Sequence, residues 1–139
     1  MLDLAGVIPG HALFHHIGYA TTSIARDLTF FSLLGYHQEG EAFTDPIQGV
    51  NGCFLVGGGP RVELLENLAD STTLTPWLNT GVKMYHFAYE VENLVNAIVW
   101  VRHQRARIVC EPVAAAAFEG RQICFAMLRS GLLVELIQK

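Results

Sequence analysis

The hydrophobic pattern in the first half of the chain predicts one helix and four strands. Residues 14–22 combine aromatic and β-branched side chains in the way that strands do. Ser23 is suited to be an N-cap, and Ile24, Leu28, Phe31 and Leu34 then recur at helical spacing before Gly35, which favours a helix end. Three further strands are predicted at residues 36–43, 50–56 and 61–66, with a glycine-rich turn before the last.

After a polar connector at residues 67–83, the same pattern starts again. Thr75 and Pro76, inside the connector, are suited to the N-cap and first position of a short helix. A strand is predicted at residues 84–91, and Asn93 then caps a second long helix. The apolar face of that helix consists of Leu94, Ala97, Ile98 and Val101. The remaining elements are a strand at 107–111, an alanine-rich loop at 112–120 and strands at 122–128 and 132–138.

Each half therefore has the order β-α-β-β-β, and neither half could bury its own sheet completely. Two such modules packed side by side predict an α+β fold, an incomplete, barrel-like curved sheet with helices on its convex face. We expect one domain at residues 13–139, with module one at 13–66, the connector at 67–83 and module two at 84–139. Residues 1–12 are predicted to be a partly loose leader with a turn at Pro9-Gly10.

Composition and charge exclude several classes of protein. The 139 residues are 51% hydrophobic and 16% charged, which is typical of a well-packed globular domain. The net charge of −4, without a basic cluster, argues against a nucleic-acid partner. No long apolar segment or export signal is visible, so we expect no membrane contact and a cytoplasmic protein. Cys53, Cys110 and Cys124 are too widely spaced for a disulfide framework or a zinc motif.

A repeated tetrad carries the candidate chemistry. Val62-Glu63-Leu64-Leu65 in module one is matched by Val134-Glu135-Leu136-Ile137 in module two. In each strand, alternation turns the glutamate away from its apolar neighbours. A histidine, His16 or His86, precedes each glutamate at nearly the same distance, with small residues beside it on the same face. Two imidazoles and two carboxylates suit a divalent first-row ion with open positions: nickel, cobalt, manganese, iron or zinc.

A simpler interpretation competes with the metal site. A strand glutamate is usually a solvated surface residue, and a strand histidine is more often structural or exposed than a ligand. We assign His11, His15, His37 and His103 to that class. His15 is the nearest competitor of His16, because strict alternation lets only one of two neighbours face the pocket. The matched repetition in both modules is what favours the metal site.

At this point the chain resembles the vicinal oxygen chelate superfamily, whose members include glyoxalase I and methylmalonyl-CoA epimerase. The resemblance covers nearly all residues from about 14 to 138 and includes the paired modules, their opening histidines and their closing carboxylates. The closest likeness is to the epimerases. It lies in Gln48-Gly49-Val50, in the connector at 71–78, and in a C-terminal hairpin with Phe125, Gly131 and residues 134–136.

The resemblance implies that His16, Glu63, His86 and Glu135 bind a divalent metal ion, with Glu135 and Glu63 as catalytic carboxylates and Glu135 as the favoured base. It implies an isomerase or epimerase that works through an enolate and acts on an acyl-CoA thioester. Alternatives are a glyoxalase I-type lyase acting on a hemithioacetal and a metal-free, bleomycin-resistance-like antibiotic-binding protein. An extradiol dioxygenase is a further option, although such chains are typically longer. The family habit also implies a homodimer.

Further residues bear on the substrate. Some epimerases carry a glutamate four positions after the glutamine of the Gln-Gly-Val segment, where this chain has Gly52. Inversion by two bases would therefore need Gln48, a water or another carboxylate. Gln48 is also a predicted substrate contact. The loop at 114–121 is predicted either as a plain connection or as a lid, in which Phe118 and Arg121 would contact the substrate and Arg121 would face an anionic group.

Overall fold

A computed structural model of the chain describes residues 12–139, so His11 and, apart from Ala12, the predicted leader lie outside the described residues. The described elements confirm that the order β-α-β-β-β occurs twice. The first module contains β1 (Leu13–Ala20), α1 (Ile24–Leu33), β2 (His37–Asp45), β3 (Val50–Val56) and β4 (Val62–Asn67). The connector contains α2 (Thr75–Thr80). The second module contains β5 (Met84–Val91), α3 (Leu94–His103), β6 (Arg107–Ala114), β7 (Gln122–Met127) and β8 (Leu133–Gln138).

All eight strands belong to one open, curved sheet with the order β2-β3-β4-β1-β5-β8-β7-β6. The opening strands of the two modules, β1 and β5, lie antiparallel at its centre. Each of them pairs in parallel with the last strand of its own module, β1 with β4 and β5 with β8. The α+β fold predicted from the sequence is confirmed, and the duplication places equivalent strands on either side of the central pair.

The two long helices cover one face of the sheet and leave the other face for the site. Ile24, Leu28 and Phe31 of α1 pack against buried residues of β3 and β4. Leu94, Ala97, Ile98 and Val101 of α3 are buried against β7 and β8, as their helical spacing predicts. None of the described helices combines the length and apolar character needed to cross a bilayer.

The predicted caps of both long helices are confirmed. The Ser23 hydroxyl accepts a hydrogen bond from the Arg26 backbone N–H at 3.2 Å, and the Asn93 side chain accepts one from Asn96 N–H at 3.0 Å. Gly35 follows α1 with a φ of +89°, the left-handed conformation that glycine adopts without steric cost. Leu34 is 67% exposed, so the apolar face of α1 ends at Phe31.

Two local predictions are wrong. The N-cap of α2 is Leu74, and Thr75 is its first helical residue, because the Thr75 hydroxyl accepts a hydrogen bond from Asn67 instead of capping the helix. The region 112–120 is only partly a loop, since β6 continues through Pro112 to Ala114 and Ala116–Phe118 forms a 3₁₀ turn. β6 is an edge strand, where the missing N–H of proline is tolerated.

Candidate metal centre

Backbone register places one histidine and one glutamate on either side of a glycine. Glu63 of β4 and His86 of β5 are both paired with Gly18 of β1. A Cβ atom on residue 18 would overlap the His86 imidazole, so the ring lies directly over the glycine. The absence of a side chain at residue 18 therefore leaves room for His86 over the middle of the sheet.

A second row repeats this arrangement with the modules exchanged. His16 of β1 and Glu135 of β8 are both paired with Ala88 of β5. Ala88 is completely buried, and its small side chain separates the two larger ones. Both rows lie on the same face of the four central strands, which is how a sequence duplication forms a single site within one chain.

The four candidate side chains converge on one point. Nε2 of His16 lies 3.1 Å from Oε1 of Glu63, 3.2 Å from Oε1 of Glu135 and 3.1 Å from Nε2 of His86. Nε2 of His86 lies 3.6 Å and 3.4 Å from the same two carboxylate oxygens. All four residues are at most 4% exposed. The structure thus brings together the two glutamates of the repeated tetrads and the two histidines that precede them.

Burial and mutual attraction act in opposite directions on these groups. Burial would lower the pKa of His16, but the Glu63 and Glu135 carboxylates outweigh it and raise that pKa to about 9. The pKa of His86 is raised by the same carboxylates despite complete burial. Burial would raise the pKa of Glu63, but the imidazoles bring it down to about 2, and they lower that of Glu135 as well. Without a metal ion, the cluster therefore favours bound protons on the imidazoles.

The donor set fits a divalent ion. Ligand atoms bound to one ion at about 2.1 Å lie about 3.0 Å apart at octahedral and about 3.4 Å apart at tetrahedral angles, close to the separations found here. Among the buried side-chain atoms of the described residues, Oε1 of Glu135 and Nδ1 of His86 have no hydrogen-bond partner. Since Oε1 of Glu135 lies 3.2 Å and 3.4 Å from the two imidazole Nε2 atoms, either a proton on an imidazole or a bound cation would balance its charge. These residues could hold a metal ion together.

His15 also reaches the site, contrary to the sequence prediction. The register between β1 and β5 shifts between Phe14 and His16, and strict alternation fails at this irregularity. Nδ1 of His15 lies 2.7 Å from Nδ1 of His16, and its ring contacts Phe54 and Phe118 as the His16 ring does. Burial, then His16 and Arg61, lower the pKa of His15 to about 4. The adjacent histidine pair was the only sequence signal for this contact.

A pocket of about 340 Å³ opens on the concave face, with Glu63 in its wall. Among the described residues that line it, Glu63 is the only carboxylate, and neither lysine nor arginine occurs. Most of the remaining wall is apolar and includes Phe43, Val50, Leu65, Tyr85, Phe125 and Leu133. The wall of this pocket is therefore mostly apolar, with the carboxylate of Glu63 linking it to the four-residue cluster.

The three predicted substrate contacts occupy different places. Gln48 lines the pocket. Phe118 is outside the pocket lining, where it is 4% exposed and stacks on His16 with ring centroids 6.0 Å apart. Arg121 donates a hydrogen bond to Glu90 at 2.9 Å and another to the Gln138 carbonyl at 3.1 Å. The structure therefore brings Gln48 to the pocket, Phe118 to the cluster and Arg121 to neither.

Apolar side chains surround Gly52, the position at which some epimerases carry a glutamate that could act as a second base. A Cβ atom on residue 52 would overlap the Phe43 ring and the Leu65 side chain. The space above Gly52 is thus occupied by apolar groups, two of which line the pocket. Burial, followed by the nearby Glu63 and Glu135, raises the pKa of Tyr85 well above its ordinary value, so this phenol is not a base at neutral pH.

Comparison with known proteins agrees with this architecture. Residues 15–125 match the family model of the glyoxalase/bleomycin resistance protein/dioxygenase superfamily. Human mitochondrial methylmalonyl-CoA epimerase is 27% identical over 128 residues, which cover 89% of this chain and 72% of the human protein. A hypothetical protein from Bacillus halodurans superposes with a TM-score of 0.79 at 29% identity, covering 92% of this chain and 94% of the other.

A methylmalonyl-CoA epimerase in complex with methylmalonyl-CoA and NH4+ shares the fold with a TM-score of 0.72. Its identity to this chain is 20%, and the superposition covers 92% of this chain and 94% of the epimerase. The family match spans both modules and includes three of the four clustered residues, His16, Glu63 and His86. The chain belongs to the glyoxalase/bleomycin resistance protein/dioxygenase superfamily.

Proposed function

We propose that this protein is a divalent-metal-dependent isomerase or epimerase that removes a proton next to a substrate carbonyl and works through an enolate. The supporting observation is the convergence of His16, Glu63, His86 and Glu135 beside a largely apolar pocket. Methylmalonyl-CoA epimerases are among the relatives and structural neighbours, which favours an acyl-CoA thioester as substrate. The ion, one of cobalt, nickel, manganese, iron or zinc, would stabilise negative charge that develops on a substrate oxygen.

The chain's own residues divide the remaining work. His16 and His86 are held by strand pairing and would supply the two nitrogen ligands. Glu135 is the favoured base, the role that the family resemblance gives to the carboxylate of the second module. Glu63 would serve as an oxygen ligand, and its position in the pocket wall makes it the second catalytic carboxylate. The apolar wall would exclude water from the reacting carbon.

The surroundings of Gly52 favour a second candidate, a glyoxalase I-type isomerisation of a hemithioacetal. Inverting a stereocentre requires removal of a proton from one face and delivery to the other. Among the described pocket residues, Glu63 is the one carboxylate that could serve the second face, and it would also be a ligand of the ion. An isomerisation in which the proton returns from the same side needs only one carboxylate, so it is compatible with the apolar packing over Gly52.

Proton exchange in deuterium oxide tests the proposal. Protein reconstituted with Co²⁺ is incubated with methylmalonyl-CoA or with the hemithioacetal of methylglyoxal and glutathione, and loss of the substrate proton is followed by NMR. We expect exchange with one substrate, and at least a 100-fold decrease after chelation, because general base catalysis then lacks charge stabilisation. Exchange that survives complete metal removal would contradict the metal dependence. A metal-loaded protein inactive on both substrates, yet able to bind a drug without metal, would favour the antibiotic-binding alternative.

Replacing His15 tests how the first imidazole is oriented. To bind an ion through Nε2, His16 must carry its proton on Nδ1, which then donates to Nδ1 of His15. His15→Phe keeps an aromatic ring against Phe54 and Phe118 but removes the acceptor. We expect Co²⁺ affinity to fall by about 10-fold, measured by titration of the cobalt absorption band. The exposed His37, on β2, provides the control, since His37→Phe should leave the affinity unchanged.

Two properties expected from the sequence stay predictions, the homodimer and the cytoplasmic location. Sedimentation of the purified protein checks the first, and fractionation of the producing cells checks the second.

A further inference from the structure

The polar part of the pocket wall includes one side chain that is fixed from three directions. Gln48 donates its backbone N–H to Oδ1 of Asp45 at 3.0 Å and its side-chain Nε2 to Oδ2 of Asp45 at 2.9 Å. Its backbone carbonyl accepts from the Thr73 hydroxyl at 2.6 Å. A glutamine anchored at both ends by its neighbours loses little further freedom when a ligand binds.

Asp45 itself is a buried and fully engaged carboxylate. It is 1% exposed, and besides the two bonds from Gln48 it accepts the backbone N–H of Ala116 at 2.9 Å. That third bond links the end of β2 in module one to the 3₁₀ turn of module two. The Asp45 carboxylate is therefore held by residues of both modules and lies next to Gln48, which lines the pocket.

A carboxylate that only accepts hydrogen bonds decides which end of the Gln48 amide points away from it. Only the NH₂ end can face Asp45, so the carbonyl Oε1 has to point elsewhere. Within residues 12–139, no hydrogen bond to this oxygen occurs, and Gln48 lines the pocket. The geometry points to Asp45 as a positioning residue that presents Gln48 Oε1 to the pocket as a hydrogen-bond acceptor, so that the pocket selects substrates carrying an N–H or O–H donor.

Few other side-chain acceptors line the pocket. The Thr73 hydroxyl already bonds to the Gln48 carbonyl and contacts Ser71, Tyr85 carries a phenol, and the carboxylate of Glu63 belongs to the cluster. An uncharged ligand with one amide N–H and an apolar body matches that wall. A thioester carried on an amide-containing arm has this chemistry. The inference rests on the proposed function in taking this pocket as the substrate site.

A pair of probes that differ in one N–H group tests the inference. S-propionyl-N-acetylcysteamine carries an amide, and S-propionyl-2-mercaptoethyl acetate has an ester oxygen in place of that N–H. Binding is measured by the change in tryptophan fluorescence, to which Trp77 in the pocket wall contributes, in protein with and without Co²⁺. We expect the amide probe to bind about 5-fold more tightly to the natural protein, the value of one neutral hydrogen bond. Equal affinities would overturn the inference.

Two variants test whether Gln48 and Asp45 cause the preference for the amide probe. Gln48→Met keeps the length of the side chain but removes Oε1, so the ratio of the two affinities should fall to about one. Asp45→Asn lets the Gln48 amide turn its NH₂ end towards the pocket, and the ratio should again fall to about one. A merely structural role for Asp45 would weaken both probes equally and leave their ratio unchanged. A preference that persists in Gln48→Met would overturn the inference.

These measurements separate failure of this inference from failure of the proposed function. The affinity ratio requires no turnover, so it can be measured in a protein that exchanges no substrate proton. Proton exchange with equal binding of the two probes would contradict only the role of Asp45 and Gln48. An amide preference without proton exchange would contradict only the enolate chemistry.

Discussion

Replacing Glu135 by glutamine is expected to slow exchange of the substrate proton by about 1,000-fold, within the range that a positioned general base contributes. The amide keeps the length of the side chain and one oxygen that can bind the ion, but it cannot take up a proton. Glu135 is only 2% exposed, so its side chain is shielded from bulk water. Exchange is measured by NMR in deuterium oxide, and metal content is measured on the same sample to separate lost basicity from a lost ion.

Glu63→Gln is the matched control, because Glu63 occupies the equivalent position in the other module. We expect it to retain metal and to lose only about 10-fold in exchange rate, since a ligand amide still completes the site. The comparison also decides between the two carboxylates. Glu63, and not Glu135, lies in the pocket wall. A 1,000-fold loss in Glu63→Gln with little change in Glu135→Gln would assign the base to Glu63.

The parts of the site that the sequence predicted are those fixed by strand periodicity and duplication. Because alternation is regular at Glu63, His86 and Glu135, two matching tetrads and two matching histidines were enough to find all four converging residues. The fold followed from the same repetition, since neither module could bury its sheet alone. Helix caps were predictable at Ser23 and Asn93, where a short polar side chain directly precedes an apolar helical pattern.

The features that the sequence did not predict depend on tertiary contacts. His15 faces the site because of an irregularity in the pairing of β1 with β5, which one strand alone does not reveal. Asp45 contacts a residue 71 positions away, so its role appears only when the modules are packed together. Arg121 looked available for a substrate anion, but Glu90 on β5 engages it in an ion pair. Each of these outcomes was decided by a partner distant in sequence.

In chelator-treated protein, the cluster is expected to stabilise the fold most strongly between pH 4.5 and 6.5. The raised pKa of His16, about 9 against an ordinary 6.5, gives stability that is complete below pH 6.5 and is lost as the pH rises through 9. The lowered pKa of Glu63, about 2 against 4.5, gives stability that is present above pH 4.5 and is lost as the pH falls through 2. His86 and Glu135 shift in the same directions and strengthen both limits.

Metal binding should become stronger as the pH rises, since an ion competes with the protons that stabilise the metal-free cluster. We expect the apparent Kd for Co²⁺ to fall on the order of 100-fold between pH 6 and pH 8.5, because His16 must lose its proton first. Titration of the cobalt absorption band at several pH values measures this. Glu63→Gln removes one of the carboxylates that raise the pKa of His16, so its pH dependence should move towards pH 6.5. A Kd that is constant above pH 6.5 would contradict this prediction, because it would show that His16 has already lost its proton and that its pKa is not raised in the metal-free cluster.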